Sequence, residues 1–352
     1  MSLCRHFGRC GGCTHQDVAD ADYRALKRQT VLDALARAGV DAPVEEIVEV
    51  PPATRRRATL KAKRDGGVRL GFHAGRSHDI VDLEECPVLL PGLTALLPGL
   101  RDMMDELLAP EGAAELRLTA SDNGPDLGLR WQRPNDSVTL AALARWAGVL
   151  KIARISAHGE TVVSLAAPTV RFGKATVNLP PETFLQPTLQ GQAVLQTFVG
   201  ETLARCKQVA DLFCGCGTLS FPLAERAKVH AVELEAPMLQ ALAAAVKATS
   251  GLKPVTVEAR NLFKRPLNES ELNGFDGVCL DPPRAGALEQ AKMLAKAKVG
   301  RIAYVSCDAE TFARDARVLI DGGFVLRRVV PVDQFLWSSH IELAGAFVRG
   351  KT

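Results

Sequence analysis

The stretch Asp211-Leu212-Phe213-Cys214-Gly215-Cys216-Gly217-Thr218 predicts a tight turn from a β-strand into a helix. Its apolar start, Val209–Phe213, is typical of a strand. Gly215 and Gly217 allow the backbone to turn sharply and to approach a ligand closely. Glu233 lies sixteen residues beyond Gly217, at the end of the next apolar run, where a carboxylate can bind ribose hydroxyls. This order of strand, loop, helix, strand and acid indicates a nucleotide-type cofactor site.

The glycine loop favours S-adenosylmethionine over a dinucleotide as its ligand. A dinucleotide-binding loop carries a third glycine, which this loop lacks. A tight turn without any ligand is the alternative, because a short Gly-x-Gly pattern is a weak signal. Cys214 and Cys216 have the chemistry of metal ligands, but we interpret them as small residues of the loop.

The sequence after residue 187 alternates predicted strands with predicted helices. The strands are expected near Val209–Phe213, Val229–Glu233, Val255–Glu258, Gly277–Leu280, Arg301–Val305, Val325–Val332 and Ala344–Arg349. Such alternation predicts an α/β domain with a mostly parallel, doubly wound sheet. The earlier part of the chain mixes short strands with a few helices, which predicts an α+β domain. We therefore divide the chain into residues 1–187 and 188–352, at a cluster of prolines.

The composition is typical of a protein with sizeable hydrophobic cores. Hydrophobic residues make up 47% of the 352 residues and charged residues 24%, with a formal net charge of +3. This small charge does not by itself require a nucleic-acid partner. No apolar run is long enough to span a bilayer, and the start of the chain lacks the apolar core of a secretory signal. We expect a cytoplasmic protein, in which nine cysteines indicate metal binding or catalysis rather than disulfides.

Reactive side chains follow two predicted strands of the doubly wound sheet. Asp281-Pro282-Pro283-Arg284 follows Gly277–Leu280, and Cys307 follows Arg301–Val305. The carboxyl ends of parallel strands meet at the edge where such sheets bind ligands, and the two prolines stiffen the turn. A structural turn and a buried cysteine are the alternatives. The sequence predicts a carboxylate, a guanidinium and a thiol in one pocket.

Glu342, in the run Ser339-His340-Ile341-Glu342, is a candidate general base. It comes directly before the last predicted strand, and a partly desolvated carboxylate is suited to taking a proton at neutral pH. A solvated glutamate at the start of a strand is the alternative interpretation.

Four cysteines have the pattern of metal or cluster ligands. Cys4, Cys10 and Cys13 lie near the N-terminus, and Cys86, followed by a proline, is distant in sequence. Four thiolates can hold a 4Fe–4S cluster or a tetrahedral zinc ion. Structural zinc sites usually show two close cysteine pairs, whereas only Cys10 and Cys13 are close here. The spacing alone leaves both groups open.

The segment 55–76 is strongly basic, with eight basic side chains and one acid, Asp65. Thr59, Lys61 and Lys63 are expected to share one face of a strand. Such a face suits contacts with the phosphates of a nucleic acid. An ordinary solvated surface is the alternative.

These motifs together resemble, in order and spacing, the RNA uridine-5-methyltransferase family. The motifs are Asp211 to Gly217, Asp281-Pro282-Pro283-Arg284-Ala285-Gly286-Ala287, Tyr304-Val305-Ser306-Cys307-Asp308-Ala309-Glu310-Thr311 and His340-Ile341-Glu342. Phe184-Leu185-Gln186-Pro187 resembles the entry motif of the family's catalytic domain. The N-terminal cysteines and the segment from Leu70 to Pro87 resemble the iron–sulfur branch that acts on ribosomal RNA.

The resemblance implies a Rossmann-like methyltransferase domain that methylates carbon 5 of a uridine in RNA, with 23S ribosomal RNA favoured. It implies that Cys307 adds to carbon 6 of uracil and that Glu342 removes the proton from carbon 5. It implies that S-adenosylmethionine contacts Gln186, Phe213, Gly215, Gly217, Thr218, Glu233, Asn261 and Asp281. It further implies a 4Fe–4S cluster held by Cys4, Cys10, Cys13 and Cys86. We expect a monomer with no membrane partner.

Some residues depart from the family pattern. Thr218, Asp308 and Thr188 stand where asparagine is found in relatives, which puts single contacts in doubt. Because the sequence begins at the cysteine cluster, we expect no RNA-binding β-barrel in front of it. The open alternatives are the same chemistry on transfer RNA, cytosine as the target base, and a catalytically silent RNA-binding iron–sulfur protein.

Overall fold

The computed structural model of the protein describes residues 3–350. The two ends of the predicted domains, at residues 1 and 352, lie outside the described residues. So do the first two residues of the N-terminal segment in which we expect no secretory signal. The helices are α1 (Asp20–Arg37), α2 (Pro91–Thr94), α3 (Leu97–Leu107), α4 (Ser137–Leu150), α5 (Leu189–Thr202), α6 (Ser220–Ala224), α7 (Ala236–Ala248), α8 (Glu269–Leu272), α9 (Leu288–Lys296) and α10 (Ala309–Asp321). The strands are β1 (Val48–Glu49), β2 (Arg57–Arg64), β3 (Val68–His73), β4 (Ile80–Asp82), β5 (Ala113–Ser121), β6 (Gly124–Trp131), β7 (Arg154–Ala157), β8 (Glu160–Ser164), β9 (Thr169–Phe172), β10 (Ala175–Asn178), β11 (Gln208–Leu212), β12 (Lys228–Glu233), β13 (Val255–Ala259), β14 (Gly277–Leu280), β15 (Arg301–Ser306), β16 (Phe324–Asp333) and β17 (Glu342–Arg349). Within this range no helix combines the length and the apolar character needed to cross a membrane.

The larger sheet has the strand order β1-β16-β17-β15-β14-β11-β12-β13. Strands β11 to β15 run parallel to one another, and β17 runs antiparallel between β15 and β16. The central strands are buried along their length, since helices cover both faces. The predicted doubly wound, mostly parallel sheet is confirmed.

Two hydrophobic cores flank this sheet. One contains side chains of α1, α9 and α10, such as Val31, Leu294 and Phe312. The other contains side chains of α5 and α7, such as Leu195 and Leu242. Full burial of a large apolar side chain contributes about 1.5–3 kcal/mol to folding. The two layers therefore hold the loops at the carboxyl edge on a rigid base.

The smaller sheet has the strand order β4-β3-β2-β5-β6-β7-β8 and is antiparallel except for the β6–β7 pair. Strand β2 alternates, with Leu60 and Ala62 buried and Lys61 and Lys63 on the more open face. Helices α3 and α4 cover the buried face and complete its core. The arrangement of helices on one side of an antiparallel sheet is the expected α+β architecture.

Segments from before residue 187 also pack on the larger sheet. Strand β1 pairs in parallel with β16, and Val31 and Leu35 of α1 lie in the core beside α10. The β9–β10 hairpin places Phe172 and Val177 in the opposite core. An apolar stripe on a helix shows that it packs, but not which sheet it packs on. The division after residue 187 stays a prediction, while α1, β1 and this hairpin pack with the residues beyond it.

Helix α1 reaches the larger sheet through a buried ion pair. Lys27 and Asp333 are 2% and 0% exposed, and the Lys27 Nζ lies 2.8 Å from the Asp333 Oδ1. Lys27 also donates to the backbone carbonyls of Phe335 and His340, and the Tyr23 hydroxyl donates to Asp333. A buried charge is tolerated only when it is paired and hydrogen-bonded. This network fixes the irregular segment that links β16 to β17.

We predict that Lys27→Met destabilises the protein strongly. Asp333 would be left as a buried, unpaired carboxylate, and loss of one partner of a buried ion pair costs about 3–5 kcal/mol. Chemical denaturation checks this, with Arg24→Met as the matched control on the same helix. Arg24 lies at the surface and pairs with Glu49, so its loss is expected to leave the unfolding midpoint near that of the wild type. Equal unfolding midpoints for the two variants would contradict the assignment.

Candidate active site

A cavity of about 640 Å³ opens at the carboxyl ends of the parallel strands. The strand order reverses beside β11, and doubly wound sheets bind ligands at such a switch point. The predicted residues that line the cavity are Gln186, Phe213, Gly215, Thr218, Glu233, Asn261, Asp281, Cys307 and Glu342. Gly217 lies behind the wall. Arg57 and Thr59 of β2, in the smaller sheet, also line the cavity.

The loop after β11 takes a backbone course that requires glycine. Gly215 and Gly217 have φ angles of +54° and +95°, and Phe213 also has a positive φ of 62°. A Cβ atom on Gly217 would lie 2.7 Å from the ring of Phe221, whereas a Cβ atom on Gly215 would meet open space. The loop can therefore bring backbone groups close to a ligand, which fits the predicted cofactor site. Cys214 packs in a hydrophobic core, which fits its interpretation as a small residue of the loop.

Glu233 is tied to the glycine loop. Its Oε2 accepts a hydrogen bond from the Gly215 N–H at 3.0 Å, and its Oε1 accepts from the N–H groups of Leu234 and Glu235. These contacts fix the carboxylate at the wall of the cavity.

An aromatic side chain next to Asn261 escaped the sequence prediction. The Asn261 Oδ1 accepts hydrogen bonds from the N–H groups of Phe263 and Lys264, which orders this loop. Phe263 is largely exposed and its ring lies 5.4 Å from that of Phe213. The two rings form an apolar side of the cavity suited to a flat ligand. An exposed phenylalanine two residues after a predicted ligand-binding residue is the signal that could have identified it.

Asp281 and Glu342 are joined by a chain of two glutamine amides. The Gln186 Nε2 donates to the Asp281 Oδ2 at 2.9 Å. The Gln334 Nε2 donates to the Gln186 Oε1 at 2.7 Å and to the Glu342 Oε2 at 3.0 Å. Sequence reasoning missed Gln334, because nothing in its neighbours separates a buried amide from a solvated one. The chain connects the predicted cofactor side of the cavity with the predicted base.

Burial governs the acids of the cavity. It raises the pKa of Glu342, and the nearby Asp281 carboxyl raises it further. Burial also raises the pKa of Asp281, which the hydrogen bond from Gln186 opposes. Asp211 is fully buried behind them, and burial raises its pKa to about 7 despite a hydrogen bond from Ser220. A positive charge in the cavity would favour the ionised form of each acid.

Cys307 is half-buried between the end of β15 and the start of α10. The next residue, Asp308, caps α10 by accepting from the Thr311 N–H at 3.0 Å, so the thiol is held at the helix entrance. Burial raises the pKa of Cys307 to about 11, with further increases from Glu342 and Asp281. The partial exposure needed for a nucleophile is present. These neighbours nevertheless favour the protonated thiol at neutral pH.

Arg284 is the cation that opposes this effect on Cys307. Its guanidinium donates to the ring of His340, with 2.7 Å between Nη2 and Nδ1. Burial and the nearby Arg284 lower the pKa of His340, so that its ring is neutral and can accept the hydrogen bond. Arg284 is thereby positioned at the wall of the cavity.

The four candidate ligand cysteines lie in the part of the chain that contains the smaller sheet. Burial is the main cause that raises the pKa of Cys10 and that of Cys13. The nearby thiols of Cys86 and Cys4 raise both pKa values further. Cys10 bridges to Ala74 of the smaller sheet's hairpin region. Among residues 3–350, no three metal-binding side chains are close enough to hold a single ion. The structure brings the cysteines near one another without forming a closed single-metal site.

The basic segment is partly neutralised by its own surroundings. Lys61 pairs with Glu115, and Arg64 lies 3.6 Å from Asp105. Arg56 is buried and donates to the Gln186 carbonyl, so it is a structural support of the cavity. Arg57 stacks over the exposed ring of Phe184 at 4.4 Å, at the cavity wall. The charge available to a partner is therefore concentrated near the cavity mouth.

The fold is that of an α/β methyltransferase. A solved structure of the tRNA (uracil-54, C5)-methyltransferase of Pyrococcus abyssi, in complex with S-adenosyl-L-homocysteine, resembles it with a TM-score of 0.77. That likeness covers 96% of this chain and 86% of the other, at 23% sequence identity. The likeness establishes the fold.

The sequence comparisons define the family. The family model for tRNA (uracil-5-)-methyltransferase matches residues 173–350. An uncharacterized RNA methyltransferase of Caulobacter vibrioides is 44% identical over 98% of this chain and 85% of its own length. The 23S rRNA (uracil(1939)-C(5))-methyltransferase RlmD of Halomonas elongata is 35% identical over 96% of this chain and 74% of its own length. The chain belongs to the tRNA (uracil-5-)-methyltransferase family.

The protein is therefore an S-adenosylmethionine-dependent RNA uracil-5-methyltransferase. This confirms the predicted enzyme class. The comparisons favour this class over a catalytically silent RNA-binding protein and over cytosine as the target base.

We predict that Gly217→Ala weakens S-adenosylmethionine binding by at least about tenfold, which corresponds to about 1.4 kcal/mol. The added Cβ atom collides with Phe221 at a backbone angle that alanine rarely adopts, so the loop must shift. Titration calorimetry measures the dissociation constant, with Gly39→Ala, after α1 and outside the cavity, as the control. That variant has open space for its Cβ atom and carries only the strain of a positive φ, about 1–2 kcal/mol. The same affinity in Gly217→Ala as in the wild type would contradict this account of the loop.

Proposed function

We propose that this enzyme methylates carbon 5 of one specific uridine in ribosomal RNA, with 23S ribosomal RNA as the favoured target. The observation that carries the proposal is the convergence of Cys307, Asp281 and Glu342 on the cavity beside the glycine loop. Carbon 5 of uracil is a poor nucleophile, so the ring needs a covalent activator and a base. Cys307 and Glu342 are candidates for these two roles in the same space.

Cys307 activates the ring by adding its thiolate to carbon 6. The π electrons of the carbon 5–carbon 6 bond move toward the oxygen on carbon 4, and the resulting enolate makes carbon 5 nucleophilic. The thiol proton leaves to solvent before the attack, because the thiolate is the reactive form. Arg284 favours this ionisation, while burial opposes it.

Glu342 completes the reaction as the base. When bound, S-adenosylmethionine supplies the methyl group to carbon 5. Glu342 then takes the proton from carbon 5, and the electrons of that carbon–hydrogen bond restore the carbon 5–carbon 6 double bond. The bond between carbon 6 and the Cys307 sulfur breaks at the same time, which returns the thiolate. The raised pKa of the buried Glu342 makes it a stronger base than an exposed glutamate.

The cofactor occupies the part of the cavity next to the glycine loop. Phe213 and Asn261 flank the exposed ring of Phe263, which suits the adenine base. Glu233 is placed to accept from ribose hydroxyls. Gln186 and Asp281, hydrogen-bonded to each other, would help to hold the cofactor, which supplies the methyl group. Gly215, Gly217 and Thr218 shape the loop that carries the remaining contacts.

Ribosomal RNA is preferred as the substrate because of the relative from Halomonas elongata, whose name specifies 23S rRNA. Transfer RNA is the second candidate. It is supported by the name of the matching family and by that of the similar Pyrococcus abyssi enzyme. The cysteine pattern near the N-terminus, which resembles that of the ribosomal RNA branch, favours the first.

RNA approaches over the open face of the smaller sheet. The target base leaves its stack to reach Cys307, because a stacked base cannot present carbon 6 to a thiol. Arg57 and the exposed Phe184 form a stacked pair at the cavity mouth that suits contacts with an unstacked base. Lys63, further along β2 on the more open face of the strand, is placed to contact phosphates.

Cys4, Cys10, Cys13 and Cys86 hold a 4Fe–4S cluster in this proposal. Cys10 and Cys86 pack against the same hydrophobic core. Arg5, directly after Cys4, pairs with Glu84 and Glu85 just before Cys86, which supports a common site for these thiols. Sulfur atoms around a zinc ion, with bonds of about 2.3 Å, would be closer together than those around the larger cluster. The cluster would tie the N-terminal segment to residue 86 and would stabilise the part of the chain built on the smaller sheet.

We predict that Cys307→Ala abolishes methylation of RNA while it retains S-adenosylmethionine binding. Glu342→Gln is predicted to accumulate a covalent protein–RNA adduct, since the proton on carbon 5 stays and the sulfur cannot leave. Denaturing gels with labelled RNA detect the adduct, and mass spectrometry of digested RNA detects 5-methyluridine. The control is Glu160→Gln, an exposed glutamate of β8.

Turnover by Cys307→Ala would remove this residue from the mechanism. Absence of an adduct in Glu342→Gln, with Cys307 intact, would reject the role of Glu342 as the base. Mapping 5-methyluridine in total RNA of a deletion strain identifies the substrate. Loss from transfer RNA alone would favour the second candidate.

We predict that the protein purified without oxygen contains iron and absorbs broadly in the visible range. Cys86→Ser is expected to lower the iron content because one ligand is lost. Cys206→Ala, which changes a buried cysteine of the larger domain, is the matched control and keeps the iron. Bound zinc without iron in elemental analysis would reverse the assignment.

A further inference from the structure

We propose that Gln334 is a positioning residue that holds Glu342 in the geometry needed to take the proton from carbon 5. The inference rests on the proposed function, because it assigns Gln334 a role through Glu342. The Gln334 amide uses its Nε2 twice, toward the Gln186 Oε1 at 2.7 Å and the Glu342 Oε2 at 3.0 Å. It therefore couples the base to the Gln186–Asp281 pair on the opposite side of the cavity.

The Gln334 side chain is itself fixed by its surroundings. It is 1% exposed, and its backbone N–H donates to the Val332 carbonyl at 3.1 Å. A Cβ atom on Gly191, in the first turn of α5, would overlap the Gln334 Oε1. The preceding residue, Asp333, is anchored by the buried Lys27. Gln334 thus has little freedom to turn away from Glu342.

The contact determines how the Glu342 carboxyl can react. The Gln334 amide holds one carboxyl oxygen, Oε2, and thereby fixes the orientation of the other oxygen, Oε1. A donated N–H also favours the charged form of a carboxylate, which is the form that accepts a proton. The other titratable groups that face Glu342 are Asp281, after β14, and Cys307, after β15. Both disfavour its charge when they are ionised, which leaves Gln334 as the stabilising contact.

A purely structural role for Gln334 is the competing explanation. A buried amide that only fills space could be replaced by an apolar side chain of similar size without a specific effect on one step. A positioning role instead predicts that the effect appears in proton removal and in its pH dependence. The two explanations are separated by the methionine variant, which has a similar shape and no N–H donor.

The first experiment follows adduct decay in single-turnover reactions of Gln334→Met with labelled RNA. Proton removal is expected to slow by about tenfold or more, within the 10²–10⁴-fold that a general base as a whole contributes. The rising limb of the pH profile is expected to move to higher pH, because loss of a donor to the charged form raises the pKa of Glu342. The dissociation constant for S-adenosylmethionine and the melting temperature are recorded in parallel, with Gln29→Met at the surface as the control.

An unchanged pH profile and decay rate would overturn the proposal. Should Gln334→Met lose its cooperative melting transition, Gln334→Asn is measured in the same way. Asparagine keeps the amide but withdraws it by one methylene, so the same upward shift is expected. No shift in a folded Gln334→Asn variant with slow overall turnover would assign Gln334 a structural role.

The second experiment combines Gln334→Met with Glu342→Gln. A residue that acts through Glu342 should add no further defect once that base is gone, so the double variant should accumulate as much adduct as Glu342→Gln. Additive defects would contradict the role of Gln334 and leave that of Glu342 intact. If Glu342→Gln itself forms no adduct, the proposed role of the base fails as well, and the two failures are distinguished by that single variant.

Discussion

The structure depends on keeping two carboxyl groups and a thiol together in a largely buried cavity. Asp281, Cys307 and Glu342 come from three neighbouring strands. Both acids raise the pKa of Cys307, and Asp281 also raises that of Glu342. A buried polar group is costly unless it is hydrogen-bonded. The amides of Gln186 and Gln334 satisfy the two carboxyl groups without adding charge. This arrangement leaves the acids responsive to a cation, and S-adenosylmethionine carries a positive sulfonium.

The structure of the site also depends on the irregular segment between β16 and β17. It carries Gln334 toward Glu342, and at Trp337 its backbone adopts a positive φ of 57°. The Trp337 N–H donates to the Tyr23 hydroxyl, and its carbonyl accepts from the N–H groups of Thr14 and His15. A strained residue persists where its surroundings hold it on several sides. The chain directly after Cys13 thus supports the loop that bears the active-site amide.

The parallel sheet explains why much of the site could be predicted from the sequence. Asp281 and Cys307 directly follow predicted strands, and the carboxyl ends of such strands meet at one edge. Gly215 and Gly217 were recognisable because a strand-to-helix turn with positive φ angles needs glycine. For these positions local pattern and topology are enough.

Other features depend on side-chain contacts between distant parts of the chain. Gln334 is 148 residues from Gln186, and no periodic pattern records their hydrogen bond. Lys27 of α1 is buried against Asp333, 306 residues away, and nothing in the sequence around Lys27 indicates this partner. The raised pKa of Cys307 follows from burial and from acids on two other segments, so a sequence motif could not reveal it.

The most direct test of the account uses an RNA substrate that carries 5-fluorouridine at the target position. Fluorine in place of the carbon-5 hydrogen leaves Glu342 no proton to remove, so the reaction should stop after methyl transfer. Mass spectrometry of the digested complex should find the methylated, fluorinated nucleotide attached to the peptide that contains Cys307. Release of the nucleotide without an adduct, or attachment to a different residue, would contradict the central claim.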